Sequence, residues 1–177
     1  MVTISKVTEL GSNEFKQDIV ILVPAVQSSV EDILLDILRT AMSAKASGST
    51  TEEDTDSTYG VRGSVTVHYS RGMYGVYTTM LLTKVSGGYT ILDRQLKVTR
   101  QSLSYGCLGI TSAGWSEQSG SANPTSSSWA YTTPSSWYPV LDETDFALIG
   151  ANCTFTVQRA GSTNTWDFSI VNNVVGG

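Results

Sequence analysis

From Val61 to Tyr69 apolar and polar residues alternate without a break: Val61, Gly63, Val65, Val67 and Tyr69 occupy one phase, and Arg62, Ser64, Thr66 and His68 the other. A period of two is that of a strand, because successive side chains leave opposite faces of the pleat. A strand of this kind buries one face and wets the other, so it needs a second apolar layer to cover it. Similar segments follow at Tyr74 to Val85, Tyr89 to Leu92 and Leu96 to Leu103. They resume at Phe146 to Val157, with Cys153, Phe155 and Val157 in phase, and at Trp166, Phe168 and Ile170. Arg71-Gly72, Gly87-Gly88 and Ala160-Gly161-Ser162 read as the turns between them. Gly87-Gly88 is the clearest signal, since both central positions of a tight primed turn need positive φ. Five to seven short strands without alternating helices predict an all-β fold, an antiparallel immunoglobulin-like β-sandwich over residues 59–177.

Composition supports strands and narrows the partners. The 177 residues include 24 Ser and 22 Thr, so hydroxyls supply the polar surface that charged side chains, at 15%, do not. Such a composition suits strands and turns more than helix interiors and excludes a coiled coil or helical repeat. Eleven basic against 16 acidic residues give a net charge of −5, which leaves no basic footprint for nucleic acid.

The charge is uneven. Residues 1–60 carry ten carboxylates and four basic groups, whereas residues 61–177 carry six and seven. Residues 47–58 hold Glu52, Glu53, Asp54 and Asp56 and no large apolar side chain, which predicts a solvated acidic linker. Ahead of it, Val30, Ile33, Leu34, Ile37, Leu38, Ala41 and Met42 recur at helical spacing, predicting one amphipathic helix near 29–45 within an N-terminal segment 1–46. Ser43-Ala44-Lys45-Ala46 has the small-x-small form of a signal-peptidase site, but Glu31, Asp32, Asp36 and Arg39 interrupt the apolar core that such a site requires, so an ordinary helix is expected. The apolar run Ile19 to Val23 is five residues, too short to span a bilayer, and no transmembrane span is expected.

Catalytic and metal-ligating patterns are sparse. His68 is the single histidine, on the wet phase of its strand, and neither a nucleophilic triad nor a zinc site follows from one His and two distant Cys. No cofactor or metal is expected. Asp142, Glu143 and Asp145 form an acidic cluster close enough for a general acid and base pair, which keeps a polysaccharide-acting enzyme open as an alternative. Cys107 and Cys153 are even in number and lie in strand-like segments, so a disulfide joining two strands is expected, against two buried thiols. Residues 111–137 contain nine Ser, four Thr and three Trp, and read as a long loop region. Its aromatics, Trp115, Trp129 and Tyr131, with Trp137 and Tyr138 at its end, either pin the loop to the domain or stack on sugar rings, with Gln118 and Asn123 as neutral partners. Pinning is expected for at least two of the three Trp.

The strand G-A-N-C-T-F-T-V at 150–157 and N-T-W-D-F-S-I-V-N-N at 164–173 resemble small secreted β-sandwich domains of Gram-positive bacteria whose function is undefined. The resemblance spans residues 59–172 and includes no catalytic motif. It implies an extracellular or cell-surface protein and no particular activity. The resulting expectation is a non-enzymatic surface domain for adhesion or glycan binding, with a glycan or another surface protein as partner. A virion or filament subunit, pairing an exposed sheet edge with another chain, is the remaining alternative.

Overall fold

A computed structural model describes residues 8–9, 15–16, 46–75, 77–142 and 147–175. The chain divides into two compact units, residues 1–37 and 38–177. In the first, strands β1 (Thr8–Glu9) and β2 (Phe15–Lys16) pair antiparallel. The helix expected near 29–45 and the sequence Ser43 to Ala46 fall outside the described residues, apart from Ala46, which opens β3.

The second unit is all-β. Its strands are β3 (Ala46–Thr55), β4 (Val61–Tyr74), β5 (Tyr77–Ile91), β6 (Leu96–Thr111), β7 (Gly114–Ala122), β8 (Ser128–Thr132), β9 (Val140–Leu141), β10 (Leu148–Arg159) and β11 (Thr165–Val175). One antiparallel sheet runs β3-β4-β5-β8, with β9 also paired to β5, and the other runs β11-β10-β6-β7. Their apolar phases meet in one core. Val65, Val67, Met80, Leu82 and Val85 come from the first sheet, and Leu103, Ile149, Cys153, Phe155 and Ile170 from the second. Each such side chain contributes about 1.5–3 kcal/mol by leaving water. Phe155 stacks on Phe168 at 5.1 Å and meets Tyr89 edge-on at 6.3 Å.

Amide side chains close the two sides of this arrangement. On one side Asn172, only 1% exposed, donates to the carbonyls of Thr50 and Val65 at 2.9 and 2.8 Å and accepts from the Thr50 hydroxyl at 3.0 Å, tying β11 to β3 and β4. On the other, Gln101 donates to the carbonyls of Pro124 and Ser126 and accepts from the Trp129 indole at 2.9 Å. Gln118 does the same for the chain before β9, since its amide pairs in both directions with the backbone of Tyr138, as a neighbouring peptide group would.

Several expectations are corrected by this fold. Residues 47–58 are not a linker: residues 46–55 form β3, paired with β4 from Ala46↔Arg71 to Thr55↔Arg62. The inference from polarity assumed that the segment must bury apolar surface of its own, whereas an edge strand draws its order from a main-chain ladder. Residues 111–137 are not one loop, because β7 and β8 lie within them. Arg71-Gly72 lies inside β4, and the turn is made by Gly75 at φ 61°. Gly87-Gly88 is not a hairpin either but the middle of β5, opposite Trp129 and Ser128. The glycines there give clearance: a Cβ on Gly87 would strike the Ser64 carbonyl and the Trp129 ring, and one on Gly88 the Ser127 carbonyl.

The disulfide is also corrected. Cys107 and Cys153 are both free and buried. They lie on neighbouring strands of one sheet, but Cys107 pairs with Ile149 and Cys153 with Leu103, four residues further along. Four residues of strand put them about 13 Å apart, well beyond the Cα separation of about 4.4–6.8 Å that a bridge allows. Burial instead pushes the Cys107 thiol up to about 11 and the Cys153 thiol up to about 12, so both stay protonated at neutral pH.

Candidate functional site

The outer face of the four-stranded sheet departs from the usual rule that this face is polar. In β7 the residues Ser116, Gln118, Gly120 and Ala122 are half-buried while Trp115, Glu117, Ser119 and Ser121 are exposed, a clean period of two. The interstrand register then sets what each exposed residue meets. Trp115 stands opposite Ile110. Glu117 faces Leu108, which faces Leu148. Ser119 leads to Gly106, Gly150 and Asn173, and Ser121 to Ser104, Asn152 and Val171. Four large apolar side chains thus stand in water on one face: Trp115 at 59% exposure, Val171 at 54%, Leu148 at 40% and Ile110 at 39%.

Leu148 and Val171 line a groove of about 290 Å³, and Trp115 and Ile110 stand one rung beyond its Glu117–Leu108 end. Its floor is the pair Gly106 and Gly150, which face each other across β6 and β10. A Cβ on Gly106 would come within 2.5 Å of the Gln118 carbonyl, and one on Gly150 would strike the Asn173 side chain. Neither position has room for a side chain, because β7 fills the space beside Gly106 and β11 that beside Gly150. Leu108 and Leu148 line it on one side of the floor, Ser104, Asn152 and Val171 on the other, and Ser119 and Asn173 flank the glycines. Glu117 is the single charged residue lining it among the described residues.

The remaining aromatics expected at a site face elsewhere. Trp129 and Tyr131 point into the core from β8, with ring centroids 6.0 Å apart. Trp137 packs on the same core and on Tyr105, at 6.1 Å. Tyr138 is half-buried, held by its backbone to Gln118. Of the five aromatics, Trp115 alone is both fully exposed in class and beside the groove. Asn123 is exposed, while Gln118 is spent on its structural clasp.

The two described titratable candidates, His68 and Asp142, each lie beside a cation. His68 Nε2 is 2.9 Å from the Ser86 hydroxyl, but its neighbour across β5 is Lys84. Burial first and the Lys84 charge second lower its pKa, so the ring is neutral at pH 7 and has a cation rather than a carboxylate beside it. Asp142 lies 3.6 Å from Arg71; Glu143 and Asp145 fall outside the described residues. Among the described residues no group of three or more His, Cys, Asp or Glu is placed to hold a metal ion, and no helix is long and apolar enough to cross a membrane.

One carboxylate that the sequence placed in a linker is the most constrained charge in the fold. Asp56, 1% exposed, accepts from the backbone of Thr58, Gly60 and Val61 at 2.8–3.0 Å, from the Thr58 hydroxyl at 2.6 Å and from the Trp166 indole at 3.1 Å. Burial pushes its pKa up, but the donors from Thr58, Val61 and Gly60 outweigh that and hold it at about 2. The signal was an aspartate two residues before Thr58 and four before Gly60, the pattern of a side chain that caps its own turn. Its role is to fasten the β3–β4 turn to β11.

Comparison with protein-family models, with curated proteins and with solved structures finds no match for this chain.

Proposed function

We propose that this chain is a non-enzymatic, secreted or surface-displayed binding domain whose contact surface is the outer face of the β11-β10-β6-β7 sheet. The observation that carries this reading is the exposed quartet Trp115, Ile110, Leu148 and Val171 around a groove. Folded domains scatter single apolar residues over their surface, and several on one face beside a groove with polar lining support a contact site. A finer assignment, an immunoglobulin-like sandwich, is supported by the sheet order: β5 pairs with β8 and β9 in one sheet, while the intervening β6 crosses to pair with β10 in the other. A secreted location is supported by the hydroxyl-rich, low-charge composition.

The test uses two probes, immobilised glycans and immobilised copies of this chain, with the parent and Trp115→Ala compared. The reading expects the parent to be retained by one probe, Trp115→Ala to lose that retention, and the two to melt within about 1 °C of each other. A Trp115→Ala variant retained as well as the parent removes this face from function. The rival, a polysaccharide-cleaving enzyme, expects release of reducing sugar that Asp142→Asn abolishes.

A further inference from the structure

We infer that the groove on the Gly106–Gly150 floor takes a neutral carbohydrate chain, with Trp115 as the stacking platform at one end and Glu117 as the group that turns acidic sugars away. The inference rests on the contact face proposed above and names its ligand class.

Three features of the groove select that class. The first is its mixture of surfaces. A pyranose ring has an apolar face of C–H groups and an edge of hydroxyls, and here the order of the rungs is the same. Trp115 and Ile110 make a flat apolar end, Leu108 and Leu148 stand on the next rung beside Glu117, Ser119 and Asn173 on the second, and Ser104 and Asn152 on the third. An indole offers the largest face for such stacking. A lipid chain would desolvate the two amides and two hydroxyls without giving them partners, which disfavours it.

The second feature is the kind of polar group. Asn side chains donate and accept at once, and serine hydroxyls do either, so adjacent sugar hydroxyls can be met in both senses without a fixed charge. The third is the charge. Glu117 lines the groove, and among the described residues no Lys, Arg or His does. A uronate or sulfate would bring a second negative charge beside Glu117 with no cation to offset it, whereas a neutral hydroxyl gains a charge-assisted hydrogen bond from that carboxylate. The floor supplies access. Because both glycines lack a side chain, a ring edge can lie against the backbone of β6 and β10 rather than ride above it.

Affinity electrophoresis of the full chain tests this, in native gels containing mannan, xylan or dextran as neutral probes and alginate as the polyuronate. The expected result is retardation by at least one neutral polysaccharide and none by alginate, a loss of at least tenfold in affinity for Trp115→Ala and Asn152→Ala, and an unchanged thermal melt for both. Glu117→Gln is expected to reduce the difference between neutral and acidic probes. Retardation by alginate equal to that by the neutral probes, or by none of the three neutral probes, overturns the inference. Sedimentation separates that failure from failure of the contact face itself. Self-association of the parent that Trp115→Ala abolishes would keep the face and replace the sugar by a second copy. Gels and sedimentation that are both blind to Trp115→Ala overturn both.

Discussion

Two hydroxyl-rich segments of this chain, residues 46–60 and 111–141, are built into the same fold by different chemistry. The first ends in a buried carboxylate: Asp56 gathers donors from Thr58, Gly60, Val61 and Trp166. The second is held by uncharged groups, the Gln101–Trp129 pair and the Gln118–Tyr138 clasp. The first segment owns too little apolar surface to order itself, whereas the second also packs Trp129, Tyr131, Trp137 and Val140 on the core. Each forms strands on a ladder supplied by a neighbouring element, with side-chain hydrogen bonds as the fastening. The difference is that a carboxylate fastening depends on pH and an amide or indole fastening does not.

The largest expected effect falls on the second segment. Trp129→Ala removes a core-packed indole and leaves the Gln101 carbonyl oxygen without its donor, so it is expected to cost about 3 kcal/mol. Denaturant titration checks it, and a cost below about 1 kcal/mol would mean that β8 is held by its ladder alone.

The next concerns the first segment under acid. The Asp56 pKa in the fold, about 2, lies below its ordinary value of 3.8, so its contribution is present above pH 4 and is lost as pH falls from about 4 to about 2. A gap of nearly two units is worth about 2 kcal/mol. Asp56→Asn, melted beside the parent from pH 7 to pH 2, is expected to be less stable at pH 7 and to converge with it at the acid end. Parallel curves across that window would break the contrast.

A smaller effect, about 1 kcal/mol, is expected for Gln118→Ala, which unties the residues before β9 while leaving the β6–β7 ladder intact. The loss should be the same at pH 7 and pH 3, and a pH-dependent loss would blur the distinction between the two segments.

How much of this was legible in the residues follows from where stability comes from. The alternation in β4, β10 and β11 was readable because the apolar phase of a core strand is written in its own side chains, and with it the all-β class. The edge strands β3, β7 and β8 were not, since a ladder to β4, β6 or β5 leaves no mark in their composition. Gly87-Gly88 misled for a related reason: glycine answers both to a turn and to a close neighbour, and only the Trp129 ring distinguishes them. At the candidate site, Trp115 was legible as an aromatic with a role, but its outward phase needs the register of β7, and the Gly106–Gly150 floor needs β10 laid beside β6.

The two thiols, four rungs apart in one sheet, have a consequence for how the domain opens. Cys153 sits at the centre of the core, whereas Cys107 lies at the β7 seam, with the Gln118 amide 3.3 Å from its sulfur. Both are protonated and shielded in the closed fold, so a thiol reagent reads only the population that has opened. Fraying of β7 uncovers Cys107 alone, and Cys153 reports loss of the whole sandwich-like core. The molecule thus carries two clocks, one for its seam and one for its centre, and no bridge links them.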